Sequence, residues 1–313
     1  MPVWFWIIIS IVALAAIFYT VCYFFVRKIL LIFIRTAKPG SLGLDYGEEF
    51  KKMQKKAAEW HEKNPHETVT IKASDGLKLS GYWWDRGEDT TILFIHGYGN
   101  TGVQATFVAE GFMEALHVNI LAPDCRAHGG SEGRWIGFGW PDRLDVLQWI
   151  DYLINLKGKD HKILLFGISM GASTVLSAAG EELPANVRAV CADCGYCSLS
   201  ELFIYILKNS MHLPRQPVMF ITNRLFKKWF GYPVYAVDPL AQVKKAKIPI
   251  LFIHGDIDQF IPSYMCKKLY DACPSQKEIL IVPDAKHALS AVIGWDQYIQ
   301  TIQSFCCKYT AEK

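Results

Sequence analysis

The chain has 313 residues, 51% of them hydrophobic, and a formal net charge of +3. A chain of this length forms one large domain or two small ones with a sizeable core. Because the net charge is small and no Lys/Arg-rich arm is interleaved with aromatic residues, we expect no nucleic-acid partner.

Residues 3–26, VWFWIIISIVALAAIFYTVCYFFV, form a run of 24 residues without a charged side chain. A run of this length crosses a bilayer with room for tilt. A cleaved signal peptide is the alternative, but it would have a basic segment before the run, a shorter apolar core and a small-residue cleavage site. No basic residue precedes this run. We therefore predict a retained, single-pass anchor over residues 1–28 that contacts the lipid bilayer through residues 3–26.

The charges that flank this run predict its orientation. Four basic residues follow it before the first acidic residue, Asp45, and these are Arg27, Lys28, Arg35 and Lys38. Basic residues are enriched on the cytoplasmic side of membrane spans. We expect a protein of the cell membrane in which the part of the chain that follows this run is cytoplasmic.

The nine cysteines are odd in number, and Cys306 and Cys307 are adjacent. Such a pattern is typical of reduced intracellular thiols rather than of a disulfide framework. The stretch CADCGYC, residues 191–197, has a spacing found in metal sites, but no second Cys/His pair follows at the distance of a zinc site. We therefore expect buried free thiols and no metal.

Residues 29–66 are predicted to be a juxtamembrane connector and a helix. The connector, residues 29–47, ends in the Gly-rich stretch KPGSLGLDYG, and residues 48–64 have the pattern of an amphipathic helix that stops before Pro65. The lysine-rich face of this helix could contact anionic headgroups, or the helix could dock on the domain with a solvated basic face. The sequence does not distinguish these two interpretations.

Residues 67–84 are predicted to form a hairpin around Ser74-Asp75-Gly76. Apolar runs then alternate with helical segments, and these runs are TILFIHG (91–97), VNILAPD (118–124), KILLFG (162–167), VRAVCAD (187–193), PILFIHGD (249–256) and EILIVPD (278–284). Continuous apolar strands are typical of a parallel sheet buried on both faces. The alternation predicts an α/β fold with a doubly wound, mostly parallel sheet.

One interval, residues 195–240, is longer than an ordinary crossover between two strands. It is rich in aromatic residues, namely Phe203, Tyr205, Phe220, Phe226, Trp229, Phe230, Tyr232 and Tyr235. We predict a helical cap over the carboxyl edge of the sheet, where ligands bind in open α/β sheets. Apolar and aromatic side chains at that edge favour a ligand with an acyl or aryl group over a sugar.

The stretch Gly167-Ile168-Ser169-Met170-Gly171 lies between a predicted strand and a predicted helix. Glycines on both sides of Ser169 allow a sharp turn that exposes the serine at the strand tip. The start of the helix places backbone N–H groups near developing negative charge. We predict that Ser169 is a nucleophile and that the Met170 N–H is one oxyanion donor.

Four stretches, FIHGYGN, DCRAHGGSEG, GISMG, and HGDIDQFIP followed by DAKHALS, make residues 67–308 resemble the α/β-hydrolase superfamily of serine hydrolases. The overall pattern is similar to a membrane-anchored, esterase- or peptidase-like branch. The resemblance implies an α/β-hydrolase domain over residues 67–313, with the cap insertion at about 195–240.

In this fold the catalytic residues follow the chain order serine, acid, histidine. His287 is the only histidine after the strand at 249–256, and we predict that it is the base. The H-G-x-x-D stretch indicates Asp258 as the acid, while Asp193, after the preceding strand, is the alternative. The resemblance makes the Tyr98 N–H the second oxyanion donor.

These residues predict a two-step acyl transfer through an acyl-enzyme on Ser169. We expect the substrate to be an apolar small molecule whose acyl group is carried as an ester, thioester or amide. No dinucleotide fingerprint or phosphate loop is present, and the reaction requires no cofactor. Two alternatives remain: a membrane-tethered binding or scaffold protein with the same fold, and an acyltransferase.

Overall fold

The computed structural model describes residues 1–35 and 47–311. Its eight strands form one sheet in the order β1-β2-β4-β3-β5-β6-β7-β8. Their bounds are β1 (Glu67–Lys72), β2 (Lys78–Trp84), β3 (Thr90–Ile95), β4 (Asn119–Pro123), β5 (Lys162–Ile168), β6 (Val187–Asp193), β7 (Ile250–Gly255) and β8 (Lys277–Val282).

Strands β1 and β2 form an antiparallel hairpin, β2 is also antiparallel to β4, and the other pairs are parallel. All residues of β3 and β7 are buried, as their continuous apolar sequences predict. Alternate residues of β3 belong to cores on opposite faces of the sheet: Leu93 and Ile95 to one, Ile92 and Phe94 to the other. The predicted doubly wound, mostly parallel sheet is confirmed.

Helices cover both faces of the sheet. Their bounds are α1 (Val3–Arg35), α2 (Gly47–Lys63), α3 (Thr106–Leu116), α4 (Asp142–Lys157), α5 (Met170–Ala178), α6 (Leu199–Asn209), α7 (Arg215–Phe230), α8 (Pro239–Val243), α9 (Tyr264–Ala272), α10 (Ser290–Ile293) and α11 (Trp295–Thr310). Helices α6 and α7 lie between β6 and β7 in the chain, within the interval interpreted as a cap.

Helix α1 extends past the expected anchor boundary at residue 28, so residues 29–35 of the expected connector are helical. The reason is the apolar spacing of Val26, Leu30 and Ile34, which puts one side chain per turn on the same face. All three side chains are buried in the core that covers one face of the sheet. The rest of the expected Gly-rich connector, residues 36–46, lies outside the described residues.

Candidate active site

Ser169 occupies a sharp turn between β5 and α5. Its φ is +57° and its ψ is −115°, a conformation that L-residues rarely adopt. A β-carbon at Gly167 would lie 2.3 Å from the Gly171 carbonyl oxygen, and one at Gly171 would lie 2.0 Å from the Ile95 carbonyl oxygen. Both flanking glycines are therefore required by close backbone packing, and the turn presents the serine side chain at the carboxyl edge of the sheet.

The three side chains expected to carry the chemistry lie in one hydrogen-bonded line. Ser169 Oγ is 2.9 Å from His287 Nε2, and His287 Nδ1 is 2.7 Å from Asp258 Oδ2. His287 is buried, and the Phe260 ring packs edge-on against its imidazole at a centroid distance of 5.0 Å. The arrangement has the geometry of a nucleophile, a base and an orienting acid.

Asp258 is held as a carboxylate in a buried position. Its Oδ1 accepts hydrogen bonds from the backbone N–H groups of Phe260 and Ile261, each at 2.9 Å. Burial alone would raise the pKa of Asp258, but His287 and His254 beside it outweigh burial and hold the pKa well below its usual range. Since the folded-state pKa is lowered, the carboxylate contributes stability above its unfolded-state pKa, and this contribution is lost as the pH falls through the folded-state pKa.

A second histidine, His254, also contacts this carboxylate. From the sequence it is expected only to shape a turn, because it precedes a glycine at a strand end. Its Nε2 lies 2.7 Å from the Ile261 carbonyl oxygen and 3.3 Å from Asp258 Oδ2. His254 therefore braces the loop that carries the acid. The signal in the sequence is its position four residues before Asp258, in HGDID.

We predict that His254→Leu lowers the free energy of unfolding by about 1–3 kcal/mol, because the Ile261 carbonyl and the Asp258 carboxylate both lose a buried partner. Urea unfolding of the variant and the wild type measures this difference. If the urea concentration at the midpoint of unfolding is the same for the variant and the wild type, His254 does not stabilise the loop that carries Asp258.

The carboxylate of Asp193, the alternative acid, forms its hydrogen bonds with residues other than His287. Its two carboxylate oxygens accept hydrogen bonds from Ser290 Oγ at 3.0 Å and from the Tyr298 hydroxyl at 3.1 Å. Its backbone carbonyl accepts the Ser169 N–H at 2.8 Å, so the residue supports the serine turn. Burial raises the pKa of Asp193. The carboxylate of Asp258, and not that of Asp193, contacts His287.

The two expected oxyanion donors, Tyr98 and Met170, line the same cavity as Ser169. The loop on either side of Tyr98 is fixed, because the Gly97 N–H donates to Gln104 Oε1 at 2.8 Å and the Gly99 N–H donates to His128 Nε2 at 3.2 Å. Met170 is the first residue of α5, so its N–H is one of the unpaired donors at a helix start. Their role as oxyanion donors stays a prediction.

The remaining polar residues near this loop have structural contacts. His96 Nε2 accepts the Cys125 N–H at 2.9 Å, and burial, with His128 nearby, lowers the pKa of His96 to about 3. Asp124 accepts the N–H groups of Gly102 and Gly130, each at 2.7 Å. These contacts hold the loops around the serine in place.

A cavity of about 490 Å³ opens onto Ser169 and Met170. Among the described residues, those that line it include no charged side chain. Of the aromatic residues in the interval 195–240, Tyr196 and Phe203 line the cavity, whereas Trp229 stacks on Trp135 and Phe226 packs on Phe230. The apolar lining contributed by the interval is therefore mainly aliphatic, from α6, α7 and the loop between them.

The cysteines of CADCGYC, Cys191, Cys194 and Cys197, are buried. The Sγ atom of Cys191 lies 3.9 Å from that of Cys306, which is not a disulfide distance. Within the described residues, no group of three or more His, Cys, Asp and Glu side chains is placed to hold a metal ion.

Comparisons with known proteins agree with this architecture. A family model described as alpha/beta hydrolase fold matches residues 90–219, and a model described as PhoPQ-activated pathogenicity-related protein matches residues 220–313. The Bacillus subtilis protein YqkD is 29% identical over 264 residues, which cover 84% of this chain and 83% of YqkD. The Saccharomyces cerevisiae membrane protein YNL320W is 24% identical over 253 residues, which cover 77% of this chain and 79% of YNL320W.

Among solved structures, the esterase Pf2001 from Pyrococcus furiosus has a TM-score of 0.64 and 23% sequence identity to this chain. The match covers 80% of this chain and 94% of the esterase, and at this identity it shows the fold alone. The strand order, the serine turn after β5 and the family match over residues 90–219 together show that the chain has the α/β-hydrolase fold.

Proposed function

We propose that this protein is a serine hydrolase that cleaves a carboxylic ester through an acyl-enzyme on Ser169. The observation that carries the proposal is the continuous contact from Ser169 Oγ through His287 to Asp258, at 2.9 Å and 2.7 Å, with Ser169 in the lining of an apolar cavity. A cavity of this size and composition suits an apolar acyl group.

In the first step, His287 Nε2 accepts the proton of the Ser169 hydroxyl as Oγ attacks the ester carbonyl. Asp258 accepts the hydrogen bond of the His287 Nδ1–H, which fixes the tautomer with a free Nε2 lone pair. The same carboxylate stabilises the imidazolium that forms during attack. The protonated imidazole then donates its proton to the leaving alcohol, and the acyl group stays on Ser169.

The tetrahedral oxyanion needs donors at the position where negative charge develops. The N–H groups of Met170 and Tyr98 are proposed to supply them, and the start of α5 adds its partial positive charge. Water, activated by His287, then releases the acid. These steps use only side chains and backbone amides of this chain.

An activity panel on the full chain tests the proposal, with carboxylic esters, thioesters and aminoacyl amides as substrates. We expect turnover of the esters. Absence of turnover of every class would favour the membrane-tethered binding protein instead. Products that carry the acyl group on an added alcohol, with little free acid, would favour an acyltransferase.

We further propose that α1 is a retained, single-pass membrane anchor and that the hydrolase domain is cytoplasmic. Within the described residues, α1 is the one helix long and apolar enough to cross a membrane, and none of the residues in its most apolar stretch is buried. The core helix of a soluble protein would be covered there. The yeast relative YNL320W is named a membrane protein, and the basic residues Arg27, Lys28 and Arg35 follow the span.

For this topology, protease added to intact spheroplasts that express the full chain should leave the hydrolase domain undigested. The reason is that the membrane separates the protease from a cytoplasmic domain. Immunoblotting with an antibody against the domain measures its survival, and detergent-permeabilised spheroplasts are the control that must show digestion. Loss of the domain before permeabilisation would reverse the proposed orientation.

A further inference from the structure

The C-terminal end of α1 is built into the hydrolase domain. The last four carbonyl groups of a helix have no partner within that helix. Two of them in α1 are satisfied by the domain: the Tyr98 hydroxyl donates to the Phe33 carbonyl at 2.6 Å, and the Ile136 N–H donates to the Ile34 carbonyl at 3.0 Å. The Arg35 guanidinium lies 4.8 Å from the centre of the Trp135 ring. The domain thus fixes the position of the helix end.

The same end of α1 forms a wall of the cavity that opens onto Ser169. Five α1 residues line the cavity over about two and a half turns, and these are Phe25, Val26, Ile29, Leu30 and Phe33. Helices α6 and α7 also line the cavity, with Phe203 and Met219 among their side chains. The lining of one cavity therefore includes both the nucleophile and α1.

The cavity is large enough for a long acyl chain. An apolar cavity of roughly 150 Å³ holds one benzene molecule. The volume of about 490 Å³ found here is about three times larger and has room for roughly 18 carbon atoms at the same density.

The position of the cavity along α1 places it at the membrane surface. The segment from Val3 to Phe24 has a length of about 33 Å at 1.5 Å per residue, close to the roughly 30 Å of a bilayer's hydrocarbon core. Phe25, the first α1 residue that lines the cavity, is 49% exposed. Arg27 and Lys28 follow it and are exposed, as basic residues at the headgroup level are.

We infer that α1 is part of the substrate site, and that the substrate is a long-chain acyl ester resident in the bilayer, whose acyl chain enters the cavity beside Phe25. This inference rests on the proposed function, because it uses Ser169 as the nucleophile. An anchor that only tethered the domain would have no need to line the cavity that contains the nucleophile.

Two isoleucines of α1 provide a matched test. Ile29 lines the cavity, whereas Ile32, three residues later on the same helix, does not and is 48% exposed. Ile29→Trp fills the part of the cavity that would hold the acyl chain. Ile32→Trp adds the same bulk on the outer surface. The full chain is reconstituted in vesicles of ether-linked phosphatidylcholine, which contain no carboxylic ester of their own.

The measured quantity is the ratio of kcat/KM for 4-methylumbelliferyl palmitate to that for 4-methylumbelliferyl acetate. Each buried methylene that is excluded costs a factor of about four. Ile29→Trp is therefore expected to lower the ratio by at least about tenfold, and Ile32→Trp is expected to leave it unchanged. Equal ratios in the two variants, or a wild type that hydrolyses the acetate but not the palmitate, would overturn the inference and leave the proposed function intact.

Fluorophosphonate labelling of each variant checks that its site is folded. If Ile29→Trp does not label, the ratio is measured on the smaller substitution Ile29→Phe against Ile32→Phe. If Ser169→Ala hydrolyses 4-methylumbelliferyl acetate at the wild-type rate, the proposed function itself fails. That result differs from a loss of chain-length preference.

A second arm tests the route of entry. The palmitate ester is supplied either in the vesicles that hold the protein or in separate, protein-free vesicles. Entry from the bilayer predicts rapid hydrolysis in the first case and slow hydrolysis in the second. Equal rates would show that the substrate enters from water, and would overturn the bilayer source.

Discussion

Ser169→Ala is expected to reduce ester turnover on the order of 10³-fold or more, with the fold unchanged. The hydroxyl of Ser169 lies within hydrogen-bond distance of His287 and is the proposed nucleophile, so its removal eliminates covalent catalysis. The backbone amides around the serine remain, which accounts for residual activity over the reaction in water. Steady-state hydrolysis of 4-methylumbelliferyl acetate measures the loss.

Ser177→Ala is the matched control. Ser177 lies in the same helix, α5, and its hydroxyl donates to the Ser173 carbonyl rather than to the site. We expect turnover within a few-fold of the wild type for this variant, with a similar melting temperature for both. Turnover by Ser169→Ala at the rate of the control would contradict a serine mechanism.

Asp258→Asn is expected to reduce turnover by about 10⁴-fold at neutral pH. The amide oxygen can still accept the N–H groups of Phe260 and Ile261, so the loop keeps its shape. The amide NH₂ then faces His287 Nδ1, which must become the acceptor. The proton moves to Nε2, and that nitrogen can no longer accept the proton of Ser169.

Asp193→Asn is the companion variant, because its carboxylate contacts Ser290 and Tyr298 instead of His287. We expect a lower melting temperature and a much smaller loss of turnover than for Asp258→Asn. Turnover of both variants on one ester, with melting curves, separates the two carboxylates. A stable but inactive Asp193→Asn beside an active Asp258→Asn would assign the acid to the end of β6.

Local patterns predict much of this architecture. The apolar runs of β3, β5 and β7 indicate buried parallel strands. Consecutive apolar residues in a strand point to both faces of the sheet, so both faces must be covered. The turn around Ser169 is predictable because one glycine two residues before the serine and another two residues after it are enough to allow a sharp turn. The choice of Asp258 over Asp193 depends on which carboxylate faces His287, and both aspartates lie at or just beyond the carboxyl end of a buried strand. Sequence spacing therefore leaves both open.

Contacts between distant parts of the chain could not be predicted in this way. Residues 3–26 form an apolar run and residues 29–35 are expected to belong to a connector, so nothing in the sequence indicates that Phe25, Ile29 and Phe33 line a cavity with Ser169. The helix continues to Arg35 because its second half packs on the hydrolase domain. This packing includes a contact between α1 and α7, which lies some 190 residues later in the chain. The contact of His254 with Asp258 could not be predicted for the same reason, since it depends on the path of the loop to Ile261.

The central claim is that Ser169 is the activated nucleophile, and peptide mapping after fluorophosphonate treatment tests it most directly. A fluorophosphonate reacts with a serine that a neighbouring base activates, and the adduct stays on the oxygen. Mass spectrometry of the digested full chain is predicted to find one adduct per chain, on Ser169, together with loss of ester turnover. An unmodified Ser169 in a treated chain that still hydrolyses the ester at the untreated rate would contradict the claim.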